Sequence, residues 1–406
     1  MALNKQTMQP SLPSDVVKED LICLSHLRWN FVYQRPQHLM SRCAQDRRVF
    51  FVEEPVIDEQ KPYLDVQMQT VTSDDKTSRI WVVVPHIPPG LAGEQRMETL
   101  RILIDQLLVD YKIQFYHLWY YTPEALPFTR TLKPLVVIYD CMDELSLFKG
   151  ANPQLCNLET ELFSRADVVF TGGVSLYKAK RSQHNNIYCF PSSIDIKHFE
   201  QARDGSLPEP DDQKNIPHPR LGFFGVLDER LDIELLGELA SARPDWHIVL
   251  IGPVVKIDPQ HLPKNENIHY LGMKDYKDLP AYLSGWDVAL LPFALNDSTR
   301  YISPTKTPEY LAGGKPVVST PIQDVVQVYG EKQFVSIAGD ADDFVDAIQH
   351  ILSEGIPHEQ LLERDAFLAE MSWDYTWSSM AALIHHSASQ KRKLQAGVVL
   401  QSTIQQ

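Results

Sequence analysis

The chain has 406 residues, with 38 lysines and arginines against 53 aspartates and glutamates, a formal net charge of −15, and 44% hydrophobic residues. This length exceeds one typical core and predicts two domains of near-equal size, while the negative charge opposes non-specific binding to nucleic acid or anionic lipid. No apolar run reaches the about 18 residues of a membrane span, and the N-terminus lacks a charged-then-apolar leader, so the expectation is a cytoplasmic protein.

Composition marks 1–19 and 387–406, where Gln, Ser and Lys dominate, as a flexible N-terminus and a flexible tail. The tail holds the only compact basic cluster, Lys391-Arg392-Lys393, which leaves room for a peripheral contact with the inner face of a membrane; its plainer reading is a solvated tail. Between these ends, apolar runs of strand length recur at 21–24, 49–52, 81–84, 114–118, 135–139, 168–171 and 187–190. They resume at 221–224, 247–251, 268–271, 288–291 and 317–319. Near-continuous Val, Ile, Leu and Phe suit strands buried on both faces. Their alternation with helical stretches predicts an α/β chain of right-handed βαβ units and doubly wound parallel sheets. The polar, proline-rich stretch around 200–219 divides the chain into a first domain at 20–200, a linker at 201–219, a second domain at 220–372 and a terminal helix at 373–386.

In open α/β sheets ligands lie beyond the carboxyl ends of strands, so the loops after strands are the ones to weigh. The first carries His26, Arg28, Trp29 and Arg35, with aromatic faces and forked donors of the kind that hold sugars and phosphates. The plainer reading is that 35–38 caps the first helix and Trp29 packs. After 135–139 come Asp140 and Asp143, either of which could accept or orient the proton of an acceptor hydroxyl; the alternative is an acid-rich helix start. The strand at 221–224 runs into Gly225, where the backbone can approach a ligand closely, and Arg230, which could instead pair with Asp228 or Asp232. Gly272 and Met273 follow the strand at 268–271. Trp119-Tyr120-Tyr121 reads as core before platform. Five cysteines without CxxC spacing and histidines without ligand spacing predict neither disulfides nor a metal site.

The most informative window is 303–320. Ser303 suits an N-cap and Pro304 the first helical position, while Thr307-Pro308 repeats the signal one turn later, so the first helical residue stays open. Either register leaves free N–H groups near 304–309, where phosphate oxygens bind well. Ser303 and Thr305 flank this point, and Lys306 adds a full charge. Glu309, one turn on, is acceptor-only and can take both hydroxyls of a ribose. Gly313-Gly314 ends the helix before a buried strand. Together these predict a nucleoside diphosphate site.

This window resembles the donor segment of GT-B glycosyltransferases of the family 4 type, and the first loop is similar to the start of bacterial surface-polysaccharide enzymes of the teichuronic-acid type. The resemblance implies two Rossmann-like domains facing across a cleft, a terminal helix crossing back to the first domain, a nucleotide-sugar donor on the second domain and an acceptor on the first. It also implies a phosphate-binding cation at Arg230, a base-binding loop at Gly272 and Met273, a base near Asp143 and no metal cofactor. The family often carries another Glu eight residues before the ribose-binding one; here that position is Tyr301.

The expected activity is transfer of a hexose-type sugar from a nucleoside diphosphate, UDP first, to a hydroxyl of a glycan or lipid-linked acceptor in cell-surface polysaccharide synthesis. Lys306 and Arg230 would stabilise the leaving diphosphate. A catalytically silent nucleotide-sugar-binding subunit and a nucleotide-sugar epimerase on the same fold are the alternatives.

Overall fold

The computed structural model describes residues 19–58, 61–73, 76–203 and 205–404. The expected flexible N-terminus, Glu19 apart, lies outside them. The first sheet comprises β1 (Asp20–Leu24), β2 (Val49–Val52), β3 (Val56–Ile57), β4 (Tyr63–Ser73), β5 (Lys76–Ile87), β6 (Tyr116–Tyr120), β7 (Val136–Cys141), β8 (Val168–Thr171) and β9 (Ile187–Cys189). The second comprises β10 (Arg220–Phe224), β11 (His247–Ile251), β12 (Ile268–Gly272), β13 (Val288–Leu291), β14 (Val317–Ser319) and β15 (Ser336–Ile337).

The first sheet runs β3-β5-β2-β1-β6-β7-β8-β9 and the second β12-β11-β10-β13-β14-β15. Strand order therefore reverses at β1, which pairs in parallel with β2 and β6, and at β10, which pairs in parallel with β11 and β13. These switch points are where doubly wound sheets open a crevice for ligands. The apolar runs behave as expected, since β1, β2, β8, β10 and β13 are buried along their whole length. One departure is β4, antiparallel to β5 from Tyr63↔His86 to Ser73↔Lys76. Its alternating Gln and Thr residues make a half-solvated edge, so no continuous apolar run announced it.

Two expectations about boundaries need correction. The stretch at 201–219 is not a free linker: Gln213 is fully buried, donating to Tyr282 O at 2.9 Å and accepting from Trp286 Nε1 at 2.9 Å. Arg220 pairs with Glu209. Ile194, Phe199 and Ala202 already belong to the second domain's core. The chain crosses between domains just before, where Ile194 N–H donates to Met371 O at 2.8 Å and Ile194 bridges Ser372 in parallel. Proline and polar residues report irregular backbone, which packing through a few buried side chains can still hold.

The terminal helix is also longer than expected. It spans Trp373–Ile404, so the tail expected to be flexible from 387 is helical through Ile404. Trp373, Met380, Ile384 and Ala388 join Leu39, Met40, Trp119 and Phe170 in one core cluster, which docks the helix on the first domain. Lys391 bonds Asp167 at 2.7 Å and Arg392 pairs with Glu19, so these cations are paired while staying partly in solvent.

Candidate active site

At the end of β10 the chain turns through Gly225 at φ +152°, whose N–H donates to Ile251 O at 2.8 Å. Gly252, at φ +142°, follows β11, and a Cβ there would collide with the Gly225 carbonyl. The two glycines thus form a bare backbone floor at the switch point. Lys306 lies over it: a Cβ added to Gly225 would come within 2.6 Å of Lys306 Cε.

The helix carrying Lys306 spans Lys306–Ala312, with Thr305 as its N-cap. Neither sequence register is adopted, and Pro308 falls at the third helical position, where its missing N–H has no intrahelical partner to lose. Only seven residues long, this helix adds little macrodipole, so the positive charge at its start is mainly the lysine. Tyr310 fixes the helix against β10 by accepting from Phe224 N–H at 2.9 Å, its ring edge-on to Phe224 at 4.7 Å.

Glu309 is 7% exposed and faces the same space as Lys306. Neither side chain makes a hydrogen bond or ion pair to another described residue. Burial lowers the Lys306 pKa against the attraction of Glu309, and burial raises that of Glu309 against the attraction of Lys306. A half-buried cation and a buried acid, each unpaired among the described residues and each lining a cavity, are what a charged ligand with hydroxyls would complete.

Two cavities meet at Lys306. The larger, about 430 Å³, lies between the first-domain loop at 29–33 and Gly225, Gly252, Met273, Tyr276 and Glu309. The smaller, about 90 Å³, is lined by Asp143, Arg35, Arg230, Ser303 and Thr305. Arg230 is bidentate to Asp228 at 2.9 and 2.7 Å, with its guanidinium 5.8 Å from the Phe148 ring of the first domain. The pairing with Asp228 and the position in the cleft therefore coexist. Ser303 O accepts from Ser192 Oγ at 3.1 Å, tying the crossing segment to the site. Gly272 is at φ +70°, and Met273, 48% exposed, stands at the rim of the larger cavity.

On the first domain the candidates separate. Asp140 is 0% exposed and both its oxygens are taken by Arg35, at 3.0 Å to Nε and 2.8 Å to Nη2. Arg35 also donates to Phe190 O at 2.7 Å. The pair is a structural tie, and Asp140 is corrected from candidate base to anchor. Asp143, two residues beyond the end of β7, has no side-chain bond among the described residues; burial raises its pKa, opposed first by Arg230 and then by Arg35. Arg28 holds the first loop to the segment just after β2 through Glu53 at 2.9 Å and Glu54 O at 2.6 Å. Trp29, 6% exposed, packs edge-on against Phe51 at 5.0 Å while also lining the larger cavity. His26 keeps a buried Nδ1 without a partner, and burial lowers its pKa to about 4.

A family model described as glycosyl transferases group 1 matches residues 218–354. A Bacillus subtilis (strain 168) protein named as a putative teichuronic acid biosynthesis glycosyltransferase, TuaH, is 26% identical over 258 residues, 58% of this chain and 64% of that relative. The match thus spans under two thirds of its length. Sucrose-phosphate synthase from Thermosynechococcus elongatus superimposes with a TM-score of 0.63 at 16% identity, covering 93% of this chain and all of that one. Anabaena HepE in complex with UDP gives 0.61 at 12% identity, covering 91% of this chain and 100% of that one. The chain has the GT-B fold, and its residues 218–354 are similar to the group 1 glycosyl transferases.

The matched domain contains every donor-side candidate from Gly225 to Glu309, whereas His26, Arg28, Trp29, Arg35, Asp140 and Asp143 lie in the other lobe of the GT-B cleft. Tyr301, at the position where a second Glu was looked for, packs against the first-domain core under the Arg300 guanidinium, 5.4 Å away. No carboxylate therefore enters the cleft from that position. Sequence reading passed over Tyr33 and Tyr276, which line the larger cavity; an aromatic four residues after Gly272 was the available signal.

The glycine floor is directly testable. In Gly252→Ala the new methyl meets the Gly225 carbonyl in a backbone region that L-residues rarely adopt. We expect a loss of about 2–3 kcal/mol in unfolding free energy together with loss of nucleotide binding, read by urea denaturation and calorimetric titration.

Proposed function

We propose that the protein transfers a hexose-type sugar from a nucleoside diphosphate, UDP being the first choice, to a hydroxyl of a glycan or lipid-linked acceptor in cell-surface polysaccharide synthesis. The observation carrying this reading is the unpaired Lys306 and Glu309 facing one cavity above the Gly225–Gly252 floor. The teichuronic-acid relative and the UDP held by the HepE structure support it.

In this reading the pyrophosphate lies between the bare backbone at Gly225 and the Lys306 ammonium, with Glu309 accepting from the ribose hydroxyls. The reaction breaks the bond from the anomeric carbon to the diphosphate oxygen and forms one to the acceptor oxygen. Negative charge grows on the leaving diphosphate, where Lys306 stabilises it and Arg230, held ready by Asp228, adds a second cation. Cations, rather than a metal, meet that charge. Asp143, across the smaller cavity from Lys306, accepts or orients the acceptor proton. Its raised pKa favours a carboxyl group that can take a proton without first breaking an ion pair.

The test is release of nucleoside diphosphate when donor sugar and an acceptor extract are incubated together. Release that depends on acceptor supports transfer. Binding without release would point to a silent subunit, and conversion of the sugar without acceptor to an epimerase. Asp143→Asn is expected to lower kcat about 10²–10⁴-fold with donor affinity retained; unchanged kcat would remove Asp143 from the mechanism.

A further inference from the structure

Tyr276 lines the larger cavity beside Glu309. Its ring is held by four others: parallel to His198 at 4.4 Å and 14°, tilted over Tyr33 at 4.7 Å and 30°, and edge-on to both His38 and Phe199 at 5.6 Å. His198 is itself oriented by a bond between Nε2 and the Tyr276 carbonyl at 2.9 Å, and His38 stacks on Trp373 at 4.6 Å and 10°. A ring clamped this way gives its hydroxyl one direction. Yet Tyr276 Oη is buried and has no hydrogen-bond partner among the described residues. A phenylalanine would fill the clamp equally well without an orphaned donor, so packing does not explain the hydroxyl.

Burial and then the Glu309 carboxylate oppose ionisation of the phenol, so it keeps its proton to donate. The two groups are close enough to interact through their charges but do not hydrogen-bond to each other. Both residues line the larger cavity.

We infer that Tyr276 and Glu309 grip the pentose of the nucleotide from two sides, the phenol donating to a ribose hydroxyl oxygen while the carboxylate accepts from the hydroxyl protons. This rests on the donor-site reading above and adds to it a residue through which the pentose is felt in both domains. Tyr33 and His38 belong to the first domain, so the group that reads the ribose also bolts the lobes together across the cleft.

The test compares wild type with Tyr276→Phe, which removes one oxygen and keeps the ring. UDP, ADP and GDP are each titrated calorimetrically alongside their 2′,3′-dideoxy analogues. We expect Tyr276→Phe to bind the preferred ribonucleotide about 3- to 10-fold more weakly, the loss of one neutral hydrogen bond. It should bind the dideoxy form as wild type does, with a melting temperature no lower than wild type. Equal losses for both nucleotides, or no loss for either, would overturn the pentose contact while leaving the donor site standing. Failure of wild-type protein to bind any of the three diphosphates would sink the donor site and this inference together.

Discussion

Lys306→Ala is expected to lower kcat/KM for the nucleotide sugar about 10²–10³-fold, the scale found for removing one well-placed stabiliser of transition-state charge. The Lys306 ammonium has no ion pair or hydrogen bond to another described residue, its burial opposes its own charge, and it stands where the Gly225 backbone leaves room beneath it. The fold should change little, since the desolvation cost removed with the half-buried cation offsets the attraction lost by Glu309, and the melting temperature should stay about level. Steady-state kinetics with a thermal melt on the same preparation separates the two effects. Unchanged kinetics would mean that the diphosphate lies elsewhere.

The second large effect concerns stability. Arg35→Met is expected to destabilise the protein by about 3–5 kcal/mol, because it strands the fully buried Asp140 without its partner. The loss should be visible as a lower urea midpoint. Arg35 also joins the start of the first helix to β7 and, through Phe190 O, to the segment where the chain leaves the first domain. Adding Asp140→Leu to Arg35→Met should restore much of the stability, since the uncompensated charge is then gone. A double variant no more stable than the single one would show that the pair is held for another reason.

That pair also shows where sequence reasoning reaches its limit. The apolar run ending at 139 made Asp140 and Asp143 look like equivalent acids at a strand tip. β7 continues to Cys141, which buries Asp140, and the partner that neutralises it lies 105 residues earlier in the chain. The Lys306 window was legible because its parts, a helix start, a lysine, a glutamate one turn on and a glycine pair, sit within one short segment. The strands were legible because burial on both faces leaves an unbroken apolar run. The aromatic clamp was not, since Tyr33 and His38, His198, Tyr276 and Trp373 come from four separated stretches and meet only after both lobes have folded. The division of the chain was misread for a related reason: a buried glutamine at 213 and a buried arginine at 220 hold a proline-rich stretch that looks free in composition.

The most direct measurement is a crystal structure with whichever of UDP, ADP and GDP raises the melting temperature most. The account predicts pyrophosphate oxygens within about 3 Å of Lys306 Nζ above Gly225, with the ribose hydroxyls against Glu309. A nucleotide bound outside the interdomain cleft, or inside it with its phosphates away from Lys306, would contradict it.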